Sequence, residues 1–321
     1  MFPRLLIRIV AIFLMIGLGF LARRLRYLDG ETTRRMAGVL TNFFYPCLIF
    51  SVIVGNFTAM TLRHNLLLPG GAFLIMAIGY GIGILFSKRL AFSSPEEKNN
   101  FRFQCTINNY SFLPLPLVLL LWGETGAAAL ILSSLGSEVA VWTLGILALT
   151  GNRLRAENLR HLASIPMLAL LVSIATLIVI GLPGGPQTIP PLLTEAKNAI
   201  MSVLEMTGKA TIPLAMFIAG SRMAELGKGR IVTGNQICTA ALRLLVIPAA
   251  AVALLFLLPL PALTRQVLCV VAIMPSAIAS VVLNEVYGGN PEFAASSVLV
   301  THLIAILTIP AWLSFLLPAL S

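Results

Sequence analysis

Asn108-Asn109-Tyr110-Ser111-Phe112-Leu113-Pro114-Leu115-Pro116 interrupts an otherwise apolar run from Phe101 to Leu121. The run is long enough to cross the roughly 30 Å hydrocarbon core of a bilayer. Two prolines two positions apart remove two backbone donors and obstruct the turn before them. Asn and Ser just ahead of them can bond the freed backbone groups or a ligand. A second run, Leu263–Tyr287, has a matching interruption at Met274-Pro275-Ser276-Ala277-Ile278-Ala279-Ser280. Paired breaks at corresponding places in two halves of a chain point to a solute site. The alternative for each break is a proline kink whose serines only cap it.

The rest of the chain sets these breaks in lipid. Of 321 residues, 58% are hydrophobic and only 11% charged. The mean hydropathy is +0.95. Soluble domains carry about 25% charged residues, and one soluble core cannot bury so much apolar surface. The approximate spans are Leu5–Ala22, Met36–Gly55, Leu66–Phe86, Phe101–Leu121, Ala127–Leu149, His161–Ile180, Ile200–Met223, Gly234–Leu258, Leu263–Tyr287 and Phe293–Leu317. Lipid offers no partners to open backbone groups, so each span is expected to be helical. Arg4 and Arg8 precede the first span without a small-residue cleavage site, so it reads as a retained helix and not a signal peptide. The longest connection expected is the one between the sixth and seventh spans.

The formal net charge of +10 lies mainly in short loops. One side collects fifteen Lys and Arg, from Arg23, Arg24, Arg26, Arg34 and Arg35 through Lys88 and Arg153 to Arg222, Lys228 and Arg230; the other collects five. Positive charge favours the cytoplasm, which places both termini outside. This basicity reads as topology and anionic-lipid contact, not nucleic-acid binding. Ten spans divide at Thr150–Arg160 into five plus five. An odd number per half inverts the second half relative to the first. The stretches Asn42–Phe50 and Lys209–Phe217 share P-x-x-x-F, a modest internal similarity.

Several polar groups fall inside spans, where they are costly and are functional candidates. Glu138 is either a proton-coupling carboxylate or one held by a neighbouring cation such as Arg243. Lys209 either meets an anionic solute or pairs with Glu205 one helical turn away. Arg243 either snorkels or pairs, or touches solute. His302 is a hydrogen-bonded packing residue or a proton relay. Tyr45, beside Pro46, lines a cavity or simply packs. Cys47, Cys105, Cys238 and Cys269 lie in apolar segments without a C-x-x-C spacing, so neither a metal site nor a disulfide framework is expected. Gly79-Tyr80-Gly81-Ile82-Gly83 follows no strand and is no dinucleotide fingerprint; its small residues four apart suit close helix packing. Phosphate-binding loop, zinc-protease and serine-hydrolase motifs are absent, so no enzyme and no cofactor is expected.

These residues resemble the auxin efflux carrier family of membrane transporters, whose plant members are the PIN-type auxin carriers. The resemblance rests on Asn109 followed seven residues later by Pro116, on Pro275–Ser280 continuing to Tyr287-Gly288, on Ile212-Pro213-Leu214 and on Thr308-Ile309-Pro310. It implies an all-α membrane fold of about ten helices in two inverted five-helix repeats, residues 1–150 and 160–321. That architecture is like the sodium/proton antiporters and the bile-acid symporters. Helices four and nine would be broken and cross near the midplane. The chain departs from the plant pattern at Ser280, where the plant members have proline, which implies a gentler second bend. The short link between the halves also argues against auxin.

The resulting expectation is a secondary transporter, an efflux carrier, for a small organic anion such as malate or malonate. It would work in a bacterial inner membrane with both termini periplasmic. Solute-binding candidates are Asn108, Asn109, Ser111, Pro114, Pro116, Pro275, Ser276, Ser280, Tyr45 and Lys209. Coupling candidates, for proton or sodium, are Glu138 and His302. Expected partners are the organic anion, the lipid bilayer and a second copy of the chain in a homodimer. The other functions considered are a ligand-binding sensor without net transport, a passive facilitator, and an intramembrane enzyme, for which no catalytic dyad is visible.

Overall fold

The computed structural model describes residues 2–151, 162–180, 191–226 and 232–320. In chain order the helices are α1 (Phe2–Arg24), α2 (Gly30–Val39), α3 (Tyr45–Asn56), α4 (Ala59–His64), α5 (Leu67–Ser87) and α6 (Pro95–Thr106). There follow α7 (Pro114–Ala140), α8 (Ile146–Thr150), α9 (Ile165–Ile180), α10 (Pro191–Lys209) and α11 (Thr211–Leu226). The last are α12 (Gly234–Ala241), α13 (Ile247–Leu257), α14 (Ala262–Ala272), α15 (Ser280–Val286) and α16 (Pro291–Leu320). Among the described residues, seven helical stretches are long and apolar enough to cross a membrane, and α9 and α14 are shorter apolar helices. The protein is an all-helical, multi-pass membrane protein.

The first helix shows why. Leu5, Ile9, Ile12, Ile16 and Gly19 are buried along one stripe. Ile7, Leu14 and Leu18 on its other side are 70%, 64% and 61% exposed. A helix apolar all round with one bare face is suited to lipid, not water. Its buried stripe packs on α11. There a Cβ on Gly19 would overlap the Phe217 backbone, and one on Gly220 the Ile16 backbone. Only glycine admits such close helix approach. The glycine run in α5 works similarly: Gly79 and Gly83, four apart, lie against Cys105 and Arg102 of α6, while Gly81 faces open space.

Proline explains two irregularities. π-Helical turns at Leu40–Phe44 and Leu242–Val246 join α2 to α3 and α12 to α13, and each lies just ahead of a proline, Pro46 or Pro248. The ring cannot donate and crowds the carbonyl four residues back, so the preceding turn widens. A third π turn, Val141–Gly145, joins α7 to α8. Within α7 the backbone leaves helical geometry at Trp122 (φ −134°, ψ 15°) and Gly123 (φ 64°, ψ −159°). The Gly123 conformation suits only glycine, and it falls between the expected fourth and fifth spans.

Several helix starts precede the hydropathy reading, among them α6, which begins at Pro95 behind a Ser94 cap and not at Phe101. The second helical stretch starts at Gly30, capped by Asp29, whose carboxylate accepts from the Thr32 N–H at 2.6 Å. Its polar first turns hid it from hydropathy. The seventh begins at Pro191 as α10, not at Ile200, and the connection expected before it falls at 181–190, outside the described residues. Arg153, Arg155, Arg160, His161, Lys228 and Arg230, with most of the Thr150–Arg160 link, lie outside the described residues.

Candidate functional site

Both expected interruptions are real breaks, each seven residues long: 107–113 between α6 and α7, and 273–279 between α14 and α15. Ser280 in place of proline does not shorten the second. The two unwound stretches run antiparallel and meet at a single bridge between Asn108 and Ser276. Asn109 N–H donates to the Pro275 carbonyl at 2.8 Å, and Ala277 N–H donates to the Ile107 carbonyl at 3.3 Å. Backbone exposed by unwinding is thus satisfied by the other break, as the membrane interior demands.

Side chains satisfy the helix ends. The last carbonyls of a helix have no partner inside it. Asn108 Nδ2 reaches back to the Val271 carbonyl of α14 at 2.5 Å, and Ser276 Oγ reaches back to the Gln104 carbonyl of α6 at 3.3 Å. Each bridging residue therefore caps the half-helix of the opposite break. Gln104 Nε2 donates in turn to Ser280 Oγ at 3.0 Å. Pro114 opens α7, where its missing N–H costs nothing, and Pro116 follows in the same turn.

A cavity of about 390 Å³ opens beside the crossing. Both breaks line it, together with α1, the α2 end, α11, α15 and α16. Its polar wall includes Asn108, Asn109, Ser111, Tyr110 and His302, and Arg222 and Glu285 bring one charge of each sign. Asn108 Oδ1 is buried with no partner among the described residues. An orphan acceptor of this kind is costly unless something fills it.

Asn109 and His302, expected to serve as binding and coupling residues, are neighbours. His302 Nδ1 lies 2.8 Å from the Val298 carbonyl. A carbonyl only accepts, so in the neutral ring Nδ1 holds the proton and Nε2 is the bare nitrogen. Asn109 Nδ2 stands 3.5 Å from that nitrogen, while Asn109 Oδ1 accepts from the Leu113 N–H at 3.4 Å, which fixes the amide's orientation. Ser111 Oγ donates to Tyr45 Oη at 2.9 Å, and the Tyr45 ring tilts against Phe112. Glu138 joins the cluster at one remove: Tyr110 donates to its Oε1 at 2.6 Å and Trp142 Nε1 to its Oε2 at 3.1 Å.

One expected partnership is replaced by another, and one solute candidate stands apart from the cavity. Arg243 does not hold Glu138; its guanidinium donates to the carbonyls of Met274, Cys105 and Ala272. Lys209 is exposed at the end of α10 and does not line the cavity. Tyr110, Gln104, Arg222 and Glu285 stand in or beside the site without having been singled out. The signal available for Gln104 was its place one turn before Asn108, inside an apolar run.

A helical membrane protein with two broken helices paired beside a cavity has the build of a solute transporter. The chain belongs to the family of membrane transport proteins, which matches residues 5–313 and is the auxin efflux carrier family that the motifs resemble. It is 26% identical, over 97% of its own length and 98% of the relative's, to an uncharacterized transporter of Methanocaldococcus jannaschii. It is a transporter of that family and not an enzyme.

Proposed function

We propose that the chain is a secondary transporter that carries a small organic anion, a dicarboxylate such as malate or malonate, by alternating access. The observation that carries this reading is the cavity beside the paired breaks, walled by amides, hydroxyls, a histidine, one arginine and one glutamate. Asn109 Nδ2 carries a second N–H beyond the one that faces His302, and this is a donor for a carboxylate. Arg222 supplies a positive charge on the same wall, and the orphan Asn108 Oδ1 is an acceptor for a solute hydroxyl or protonated carboxyl. Apolar side chains such as Ile16, Leu40, Met216 and Ile218 line much of the rest, and Glu285 adds one negative charge.

In this reading the ten hydrophobic segments all cross the membrane, as two inverted five-helix repeats over residues 1–150 and 160–321. The kink at Trp122 and Gly123 supports the count. The stretch from Pro114 to Thr150 has 37 residues; at about 1.5 Å per residue one straight helix of that length would far exceed the hydrocarbon core. Both termini face out from the inner membrane, on the loop charges. Glu138 couples transport to protons, because Tyr110 touches both the cavity and this carboxylate.

Flux into proteoliposomes, measured for a panel of labelled mono- and dicarboxylates with and without a pH gradient, tests the proposal. A dicarboxylate should enter above the liposome background and respond to the gradient. Glu138→Gln should keep basal flux and lose the response. No carboxylate flux under any gradient would overturn the anion reading; an unchanged response in Glu138→Gln would remove Glu138 from coupling.

A further inference from the structure

Arg243 is fully buried in the π turn between α12 and α13. Each of its three guanidinium nitrogens donates to a backbone carbonyl. Nε donates to Met274 O at 3.2 Å, Nη1 to Cys105 O at 3.1 Å and Nη2 to Ala272 O at 2.9 Å. Cys105 lies in the last turn of α6, Ala272 is the last residue of α14, and Met274 lies in the second break. Arg243 forms no ion pair among the described residues.

A buried charge without a counter-ion is unfavourable unless something else stabilises it. Here the stabilising element is two helix C-termini, each carrying partial negative charge, that converge on one point. Carbonyl oxygens gathered from two chain segments are also the ligand set that a hard metal cation takes. We infer that Arg243 is the built-in cation of the crossing. It supplies a permanent positive charge to the converging ends of α6 and α14, and so fills the place that a bound metal cation would otherwise take there. The planar fork suits this task, because it can address three carbonyls in different directions at once. It also ties the join of α12 and α13 to the ends of α6 and α14 and to the second break. This inference goes beyond the proposed function and does not depend on the solute.

Thermal unfolding of the purified full chain in detergent tests it without any substrate. Arg243→Ala, which vacates the position, should unfold at lower temperature than the wild type. Guanidinium chloride, at concentrations well below denaturing ones, should restore much of the loss. Tetramethylammonium chloride at equal concentration should not, since it carries charge but no donors. Arg243→Met, which fills the space without charge, should stay low and ignore both salts; Arg243→Lys should be more stable than Arg243→Met. Arg243→Met as stable as the wild type would overturn the inference. So would equal or absent responses of Arg243→Ala to the two salts. If Arg243→Ala does not accumulate, the Lys–Met comparison decides, and Lys no better than Met overturns it. Wild-type stability should be the same in sodium, potassium and choline chloride, and stabilisation by sodium alone would contradict a filled cation position.

Discussion

The two breaks do the same backbone work with unequal chemistry. The first, 107–113, carries Asn108, Asn109, Tyr110 and Ser111; the second, 273–279, has Ser276 as its one polar side chain. Ser276 is used in capping α6. In the first break only Asn108 caps, and even it leaves an oxygen without a partner. Asn109 turns to His302, Tyr110 to Glu138 and Ser111 to Tyr45. One break therefore supplies functional groups while the other supplies backbone and room, through Ala277 and Ala279 at the cavity wall. Two breaks can form a crossing with matched geometry and still differ in the side chains they leave to the cavity.

The largest expected effect tests the pairing itself. The bonds at 107, 109, 275 and 277 flank Asn108 and Ser276, which makes them a non-hydrogen-bonded antiparallel pair. Such pairs have Cα atoms about 4.5 Å apart, within disulfide range. Asn108→Cys with Ser276→Cys, in a background with the four native cysteines changed to alanine, should crosslink in nearly every molecule on mild oxidation. A lack of crosslink in folded protein would break the comparison at its base.

A smaller effect separates the outward-turned side chains. Tyr110→Phe deletes the donor to Glu138 and leaves the ring in place. It should weaken the pH-gradient response of flux while altering unfolding temperature little. Full retention of the response would disconnect the first break from Glu138.

Much of this organisation is legible in the sequence. Apolar run length marks the chain as a multi-pass membrane protein, and paired Pro-and-Ser interruptions place both breaks to within a few residues, with Pro114, Pro116 and Ser280 falling inside the helices that follow. The helix starts at Gly30 and Pro191 are not legible by hydropathy, because capping and amphipathic turns set them. Arg243 is the clearest case of a role hidden from the chain. Its acceptors lie 29, 31 and 138 residues away and are all backbone, so no side-chain motif marks them. Glu138 is visible as a charge in lipid, but its partner Tyr110, 28 residues away, is given only by packing. Lys209 is a charge visible in an apolar run whose place, exposed at the join of α10 and α11 and apart from this cavity's wall, the sequence does not give.

The division of labour is tested most directly by the affinity of the transported carboxylate, measured calorimetrically on folded protein for Asn109→Ala and Ser276→Ala. Asn109 offers a donor to a charged solute, a contact of about 1.5–3 kcal/mol. Asn109→Ala should therefore weaken binding by about tenfold or more. Ser276→Ala should lose about 1 kcal/mol of stability, from the Gln104 cap, and bind nearly as the wild type does. Wild-type affinity in Asn109→Ala, or an equal loss in both variants, would contradict the account.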